Sequence, residues 1–190
     1  MPPKARITPD MIVEAAVEVI RENGIEAVNA RAVSRQLHCS TQPVMYHFST
    51  VENLKRAAYR QADQMHTAYL MNTPPDRDPM LAIGLNYIRF AVEEPQLFRF
   101  LFQSGYAQEN SLLEMVDSEE LTPVLAAMRE GSGLSEKQTR DLFVTVALFA
   151  HGYAAIIANN HLEYDENLIA EHLERAWTGA VLAAGQEENP

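Results

Sequence analysis

The sequence predicts an all-α protein, for three reasons. No Asn-Gly or Asp-Gly pair stands between two alternating stretches as it would in a β-hairpin, and no apolar–polar alternation is sustained. Apolar residues instead recur three and four positions apart, which is the spacing of one helix face. Residues that begin and end helices flank these stretches, as Thr8 and Pro9 do at one end of a segment and Gly24 at the other. We expect roughly nine or ten helices.

Start and stop signals place each helix along the chain. A first helix is predicted from Pro9 to Asn23, and two short helices follow before Phe48. The later helices are predicted at Val51 to about Met71, Pro79 to Glu94, Pro95 to near Gly105, Glu109 to Glu130 with a break at Thr122-Pro123, Ser135 to about Asn159, and Asp165 to about Ala184. The Pro-rich segment 72–79 ends the long fourth helix, and the Gly-Ser-Gly sequence at 131–133 is predicted to be a loop.

The segment from Asn29 to Leu54 (NARAVSRQLHCSTQPVMYHFSTVENL) predicts a helix-turn-helix. Asn29 is a helix-capping residue type, and apolar side chains follow it at helical spacing. His38-Cys39 is long enough only for a turn. Ser40 is a second cap candidate, and Pro43 is tolerated in the first turn of the next helix. Two helices of about two turns that cross through such a turn can place the second one in a DNA major groove.

Charge is divided unevenly along the chain. The net charge is −11, which taken alone argues against nucleic acid. Residues 1–60, however, carry eight Lys or Arg and six Asp or Glu, a net charge of +2, whereas residues 61–190 carry seven and twenty, a net charge of −13. The only basic region therefore coincides with the helix-turn-helix. The acidic remainder should discourage non-specific binding to DNA.

Composition also bears on location. One cysteine, Cys39, cannot form an intrachain disulfide, so a reducing cytoplasm is the expected compartment. The N-terminal sequence MPPKARITPDM has no apolar run that could act as a signal peptide. The longest apolar stretch, residues 142–158, is interrupted by a threonine, a histidine and a glycine. It is short and polar for a membrane span, and it predicts a helix buried in a bundle or at a subunit interface.

In sequence and layout the chain resembles the TetR/AcrR-type transcriptional regulators. The N-terminal pattern of that family covers about residues 8–60 here and is matched by Gly24, Asn29, Val33-Ser34, His38-Cys39-Ser40, Pro43 to Phe48 (PVMYHF) and Thr50 to Leu54 (TVENL). Further on, Tyr87 to Phe102 and His151-Gly152 resemble one class of ligand domain in the family. The resemblance implies a helix-turn-helix DNA-binding domain over residues 1–60 and a larger helical ligand-binding and dimerisation domain over residues 61–190.

Three positions depart from the family pattern. His38 stands where a glycine is usual, so the turn lacks the residue best suited to a positive φ. Met45 stands at the usual tyrosine, with Tyr46 one place later. Val51 stands where a lysine would contact phosphate, which bears on affinity more than on fold. Lys55, Arg56 or the amides at the start of the helix could partly replace that lysine.

The resemblance and the helix positions together indicate the DNA contacts. The candidates are the polar residues on and before the second helix of the motif and at two flanking helix starts: Asn29, Arg31, Ser40, Thr41, Gln42, Tyr46, His47 and Lys55. A glutamine can pair with adenine through two hydrogen bonds, and threonine or tyrosine can reach phosphate or a thymine methyl group. The alternative is that these are solvated surface residues. Val44, Met45 and Phe48 are expected to face the core.

An effector pocket is expected within residues 80–185. Its candidate residues are the large side chains and one histidine of this region: Phe90, Phe98, Phe102, Met115, Phe149, His151, Tyr153 and Trp177. Aromatic residues at helical spacing are commonly plain core, so that interpretation stays open for each of them. His151 in an apolar helix is the best polar group for a ligand, with a capped core histidine as the alternative. The apolar bias predicts a hydrophobic or aromatic effector.

The sequence carries no specific signal for catalysis, since it has no His/Cys cluster at metal spacing, no GxSxG and no phosphate-binding glycine loop. We expect neither an enzyme nor a cofactor or metal site. The leading hypothesis is a homodimeric repressor, paired through its last two helices, that leaves a palindromic operator on binding a small effector and has no membrane partner. Two alternatives are a helical interaction module of the same fold that has lost DNA binding, and a small enzyme working through His151.

Overall fold

The computed structural model describes residues 7–107, 111–160 and 162–186. These residues form ten α-helices and no strand, which confirms the predicted all-α fold. The helices are α1 (Pro9–Asn23), α2 (Ala30–Gln36), α3 (Thr41–His47), α4 (Val51–Met71), α5 (Pro79–Glu93), α6 (Pro95–Gln103), α7 (Leu112–Val116), α8 (Thr122–Ser132), α9 (Glu136–Asn160) and α10 (Glu166–Gln186). Short 3-10 turns lie at Ile25–Ala27 and Glu119–Leu121.

The first helices begin where their capping residues place them. The Thr8 hydroxyl accepts a hydrogen bond from the backbone N–H of Met11 at 3.3 Å, and α1 ends at Gly24 with φ +79°. The Asn29 side-chain oxygen accepts from the N–H groups of Arg31 and Ala32 at 3.1 and 3.0 Å. These contacts satisfy N–H groups that have no partner within the helix, so local sequence alone fixes both starts.

The region after α6 differs from the prediction. Residues 109 and 110 of the predicted helix lie outside the described residues. The break comes at Asp117-Ser118, ahead of the predicted position, because Pro123 falls in the first turn of α8, where proline is tolerated. The predicted loop at 131–133 is also wrong in extent, since α8 continues through Ser132 and only Gly133 leaves the helix, with φ +69°.

By packing, the chain divides into two compact units. The first comprises residues 1–65 and 94–107, and the second comprises residues 66–93 and 108–190. Helix α6 therefore packs with α1 in the first unit, where Arg21 Nε lies 2.9 Å from Glu94 Oε2. The sequence-based boundary at residue 60 divides the chain by function and stays a prediction.

The turn between α2 and α3 ends in a Schellman motif. Cys39 N–H donates to the Ser34 carbonyl at 2.9 Å and His38 N–H donates to the Arg35 carbonyl at 3.1 Å. This motif requires a left-handed residue, and His38 has φ +50°, the only positive φ of a non-glycine among the described residues. The turn thus adopts the left-handed conformation with histidine in place of glycine, at a backbone cost of about 1 kcal/mol.

In the second unit the last turns of α4 pack on α5. Their shared core contains Leu70 and Ile83, together with Val124, Met128 and Leu142. Beside this core His66 is 6 % exposed, and its ring meets Tyr87 and Phe90 edge-on at centroid distances of 5.5 and 4.8 Å. Burial lowers the pKa of His66 to about 4, because the imidazolium would lose its hydration here.

Helix α9 is the one helix in the described part of the chain that is long and apolar enough, by length and composition, to cross a membrane. Core helices of soluble proteins share this length and composition. Several large apolar side chains of α9 are exposed within the chain, among them Leu148, Phe149 and Ile156.

Replacing His38 by glycine should raise the free energy of unfolding by about 0.5–1 kcal/mol, because glycine adopts the left-handed conformation without a Cβ clash. Gln36→Gly is the matched control, since it puts glycine at a helical position and should lower the free energy of unfolding by about 1 kcal/mol. Urea denaturation measures both. A loss of stability in His38→Gly would show that the histidine side chain itself stabilises the turn.

Stability should depend on pH through His66. Its pKa is lower in the folded state, so its contribution is complete above pH 6.5 and falls as the pH drops toward 4. From this residue the unfolding free energy should fall by about 2 kcal/mol between pH 7 and pH 5, a range in which carboxylates titrate little. His66→Phe should lose that much less over the same range in chemical denaturation. An equal loss in the variant would mean that His66 is not the group that titrates.

Candidate nucleic-acid interface

Helix α3 presents one exposed polar face. Thr41, Gln42 and Tyr46 are all exposed, Tyr46 to 83 %, and their spacing puts them on neighbouring positions of the helix surface. On the opposite side Val44 is buried, as the sequence predicted. Since α3 contacts α2 and α1 through that buried side, its polar face is left open. The arrangement presents hydrogen-bonding side chains outward from a rigid base.

Met45 corrects the sequence prediction. It was expected to face the core, but its side chain is 48 % exposed. Met45 follows Gln42 by three positions, so both side chains lie on the outward face of α3. In a helix of only two turns the apolar pattern is too short to separate a core position from a neighbouring exposed one. An exposed thioether next to Gln42 is suited to apolar contact, such as with a thymine methyl group.

The residues around α3 have mixed roles. Ser40 occupies the cap position of α3, but its hydroxyl makes no capping hydrogen bond and the residue is exposed. Asn29 is also exposed, but its side chain is engaged as the cap of α2 and donates to the Ala27 carbonyl at 3.0 Å. His47 is half-buried with its ring edge-on to Tyr46, and Lys55 is half-buried on α4. Ser40 is thus freer than Asn29 to bind a phosphate.

Two exposed arginines lie on α2, one helical turn apart. Neither Arg31 nor Arg35 forms an ion pair with any residue that the structure describes. Both line a groove of about 620 Å³ between the end of α1 and α2, together with Asn29 and Glu22. Arg31 was among the contacts predicted from the sequence, and Arg35 was not. The four-residue spacing within α2 would have indicated that the two arginines lie on the same face.

Arg56 does not take the place of the lysine that is usual at the start of α4, because a neighbouring carboxylate engages it. Val51 is half-buried at the first position of α4. Arg56 Nη2 lies 3.5 Å from Glu52 Oε1, and Glu52 also accepts a hydrogen bond from the Tyr106 hydroxyl at 2.9 Å. Burial, and then this carboxylate, raises the pKa of Tyr106. With Arg56 engaged by Glu52, Lys55 is the other cation near this helix start.

The candidate effector residues fall into both units. Phe98 and Phe102 lie on α6 in the first unit, and Phe98 is fully buried. The other six belong to the second unit: Phe90, Met115, Phe149, His151, Tyr153 and Trp177. Sequence position alone could not separate these sets, because α6 follows α5 directly in the chain.

Within the second unit a pair of side chains links α5 to α9. The Tyr87 hydroxyl and His151 Nδ1 are 2.9 Å apart. Burial raises the pKa of Tyr87 and lowers that of His151, so both side chains are neutral at pH 7. Tyr87 also meets His66 of α4 edge-on. His151 is therefore a hydrogen-bonded, half-buried histidine connected through Tyr87 to the end of α4.

The remaining candidates vary in burial. Phe90 is buried beside His66, and Trp177 packs partly buried against the core around Leu70. The Tyr153 hydroxyl lies 3.3 Å from His172 Nδ1, with the exposed Phe149 ring 6.1 Å away. Met115 is half-buried on α7. Among these candidates, His151 and Tyr153 are thus the two with side-chain hydrogen bonds, to Tyr87 and to His172 respectively.

Over residues 7–107, 111–160 and 162–186, no three His, Cys, Asp or Glu side chains are grouped so that they could hold a metal ion. The prediction that the chain has no metal or cofactor stays a prediction.

Comparison with known proteins shows which protein family this chain resembles. Residues 80–180 match the model of the tetracycline-repressor-like C-terminal domain. An uncharacterized HTH-type transcriptional regulator of Bacillus subtilis, YobS, is 22% identical over 174 residues, which cover 89% of this chain and 88% of that protein.

Solved structures show the same fold. A TetR-family regulator from Streptomyces coelicolor has a TM-score of 0.72 at 13% identity, covering 99% of this chain and 85% of that one. The multidrug binding protein EbrR, in complex with ethidium, has a TM-score of 0.61 at 21% identity, covering 88% and 97%. The family model spans more than half of the chain, and the helix-turn-helix with its exposed α3 precedes it. The chain belongs to the TetR-type family of transcriptional regulators.

Proposed function

We propose that this chain is a homodimeric repressor that binds a palindromic DNA operator through α3 and is released from it by a small aromatic or hydrophobic effector. The observation that carries the proposal is the outward face of α3. It bears Thr41, Gln42 and Tyr46 next to two exposed arginines of α2, within the only basic part of the sequence. A regulator of this kind works where the chromosome is, which for a bacterial cell is the cytoplasm.

Each group on this face has a role in the proposal. Gln42 reads a base edge, with adenine as its best partner, and Met45 and Tyr46 add apolar contact in the major groove. Arg31 and Arg35 neutralise phosphates on the flanking backbone, and such contacts position the reading helix without carrying sequence information. Ser40, Thr41, His47 and Lys55 are placed for further phosphate or base contacts, while Asn29 acts mainly by holding the start of α2.

The exposed faces of α9 and α10 support a dimer. Leu148 and Ile156 on α9 are 51 and 57 % exposed, and Gly152 stands between them, four residues from each. Leu182 on α10 is 62 % exposed, with Gly179 three residues before it. Large apolar side chains alternating with glycines suit the close approach of a second pair of helices. Two copies related by a two-fold axis would place two α3 helices ~34–36 Å apart on DNA.

The effector is proposed to bind in the second unit beside His151. The Tyr87–His151 pair offers a neutral polar group, and the Tyr87 ring lies edge-on to His66, which in turn meets Phe90. Such a combination suits an aromatic ligand with one or two hydrogen-bonding groups. EbrR, which shares the fold, is a multidrug binding protein with complexes of ethidium and proflavin, both of them aromatic. Helix α4 would pass the effect to α3, with a coupling free energy of about 1–3 kcal/mol.

One observation favours a second function. Val51 stands at the usual phosphate-binding lysine, and Arg56 is engaged by Glu52. A protein of this fold that had lost these contacts could serve as a helical interaction module without binding DNA. The two exposed arginines of α2 argue against this alternative, and experiment separates the two.

The proposal is tested by selection from a random double-stranded DNA library with the purified full chain at low salt. Recovery of a palindrome with two half-sites about one helical turn apart would support both the DNA contact and the dimer. The selected operator then serves to screen aromatic compounds for release. A folded sample that enriches no sequence would contradict the proposal and favour the interaction module.

Gln42→Ala should weaken binding to the selected operator by about 5- to 150-fold and relax the preference at one base step, because a pair of hydrogen bonds to a base edge is lost. The melting temperature should hardly change, since Gln42 is exposed. Gln103→Ala on α6 is the matched control and should bind like the wild type. If Gln42→Ala instead lowers the melting temperature by several degrees and retains its base preference, Gln42 is structural.

Leu148→Glu combined with Ile156→Glu should convert the dimer to monomers in sedimentation equilibrium, because four charges would be buried at the two-fold interface. Val92→Glu is the control, since it replaces a partly exposed apolar side chain on α5 and should leave the dimer intact. A wild-type protein that sediments as a monomer, or that partitions with lipid vesicles through α9, would contradict this use of the surface.

A further inference from the structure

Helix α4 is one uninterrupted helix shared by the two units. Residues 51–65 belong to the first unit, where Leu54, Ala58 and Ala62 are buried. Residues 66–71 belong to the second unit and pack on α5. A helix transmits displacement along its length because its hydrogen bonds make it stiff. The contacts that hold residues 66–71 in place therefore also influence the position of residues 51–65, the part of α4 in the same unit as α3.

A buried asparagine of α5 holds the end of α4. Asn86 is 7 % exposed, and its side-chain amide nitrogen lies 3.3 Å from the Tyr69 carbonyl oxygen, 3.1 Å from that of Leu70 and 3.2 Å from that of Asn72. The last carbonyl groups of a helix have no partner within the helix. A side chain from a different helix here supplies the hydrogens, so that Asn86 caps α4 from outside.

The other contacts between α4 and α5 surround this cap. The Tyr69 hydroxyl donates to Glu93 Oε2 at 2.6 Å, and burial, followed by this hydrogen bond, raises the pKa of Tyr69. Phe90 lies edge-on between His66 and Tyr69, at centroid distances of 4.8 and 5.4 Å. Ring and apolar contacts tolerate small sliding movements, whereas hydrogen bonds to carbonyl groups depend on direction. The Asn86 amide and the Tyr69–Glu93 hydrogen bond thus fix the position of α4 along its own axis, and of the two Asn86 is the buried contact.

The chain beyond the cap is also held. Arg77 Nη1 lies 2.8 Å from Glu166 Oε1 at the start of α10, and Arg89 Nη2 lies 2.5 Å from Glu166 Oε2. Hydrogen bonding from Arg77, and then from Arg89, keeps the pKa of Glu166 below its usual value, so the carboxylate stays ionised. The connector between α4 and α5 is therefore tied at its start by Asn86 and near its end by Glu166.

We infer that Asn86 is a positioning residue of the regulator: it pins the C-terminal end of α4 to α5, so that a shift of α5 is passed to the part of α4 that supports α3. The inference rests on the proposed function, because it needs an operator whose affinity responds to α4. It adds a specific residue that neither touches DNA nor belongs to the effector candidates. A lone asparagine within the apolar run LAIGLNYIRFA is the sequence signal that marks it.

The test compares Asn86→Leu with Ile169→Ala. Asn86→Leu replaces the amide by an apolar side chain of similar size and so removes the hydrogen-bond donors. Ile169→Ala opens a cavity at a buried residue of α10. For each full-length variant, hydrogen exchange of residues 66–78 and affinity for the selected operator are measured well below the melting temperature. Asn86→Ser, which removes the amide and puts a shorter hydroxyl side chain in its place, replaces Asn86→Leu if the leucine variant fails to fold.

In Asn86→Leu the backbone amide hydrogens of residues 66–78 should exchange at least about tenfold faster than in the wild type. The variant should also bind the operator about tenfold more weakly. Ile169→Ala should lower the melting temperature while both readouts stay as in the wild type. Unchanged exchange in Asn86→Leu would show that Asn86 does not hold the end of α4. Faster exchange with unchanged operator affinity would show that this contact does not position α3. Equal loss of affinity in Ile169→Ala would also overturn the positioning role. If the wild type selects no operator, the proposed function has failed, and the exchange data still decide whether Asn86 pins α4.

Discussion

The uninterrupted hydrogen bonding of α4 is the constraint on which the rest of this structure depends. The helix runs from Val51 to Met71 without a proline or glycine, and the boundary between the two packed units falls inside it. Each unit holds its own part: the Tyr59 hydroxyl donates to the Leu101 carbonyl at 3.3 Å in the first, and Asn86 caps the end in the second. A break within α4 would separate residues 51–65, which belong to the unit that contains α3, from residues 66–71, which Asn86 holds in the second unit.

In the first unit several side chains differ from the family pattern, while the chain still forms the two short helices and the tight turn of a helix-turn-helix. His38 takes the left-handed conformation that a glycine would adopt at less cost. Val51 removes one cation from the start of α4, and Arg56 is engaged by Glu52. In the proposed function the exposed Arg31 and Arg35 compensate for these losses, which moves the phosphate contacts from α4 to α2.

Features set by neighbouring residues could be predicted from the sequence, and features set by distant contacts could not. The caps at Thr8 and Asn29 act over two or three residues, so the starts of α1 and α2 were predicted correctly. The exposure of Met45 was not, because α3 has too few turns for its apolar period to be clear. Asn86 caps a helix that ends fifteen residues earlier, and the Tyr87–His151 pair joins residues 64 apart. A local pattern can mark such a residue, as it does for Asn86, but it does not identify the distant partner.

Hydrogen exchange of the wild-type protein, free and bound to its selected operator, would show whether α4 connects the two units in function. Coupling between sites is reciprocal, so DNA bound at α3 must alter the part of α4 that an effector would shift. The proposed mechanism predicts slower exchange on DNA both in α2 and α3 and in residues 66–72 at the Asn86 cap. Slower exchange confined to residues 29–55, with residues 66–72 unchanged, would contradict it.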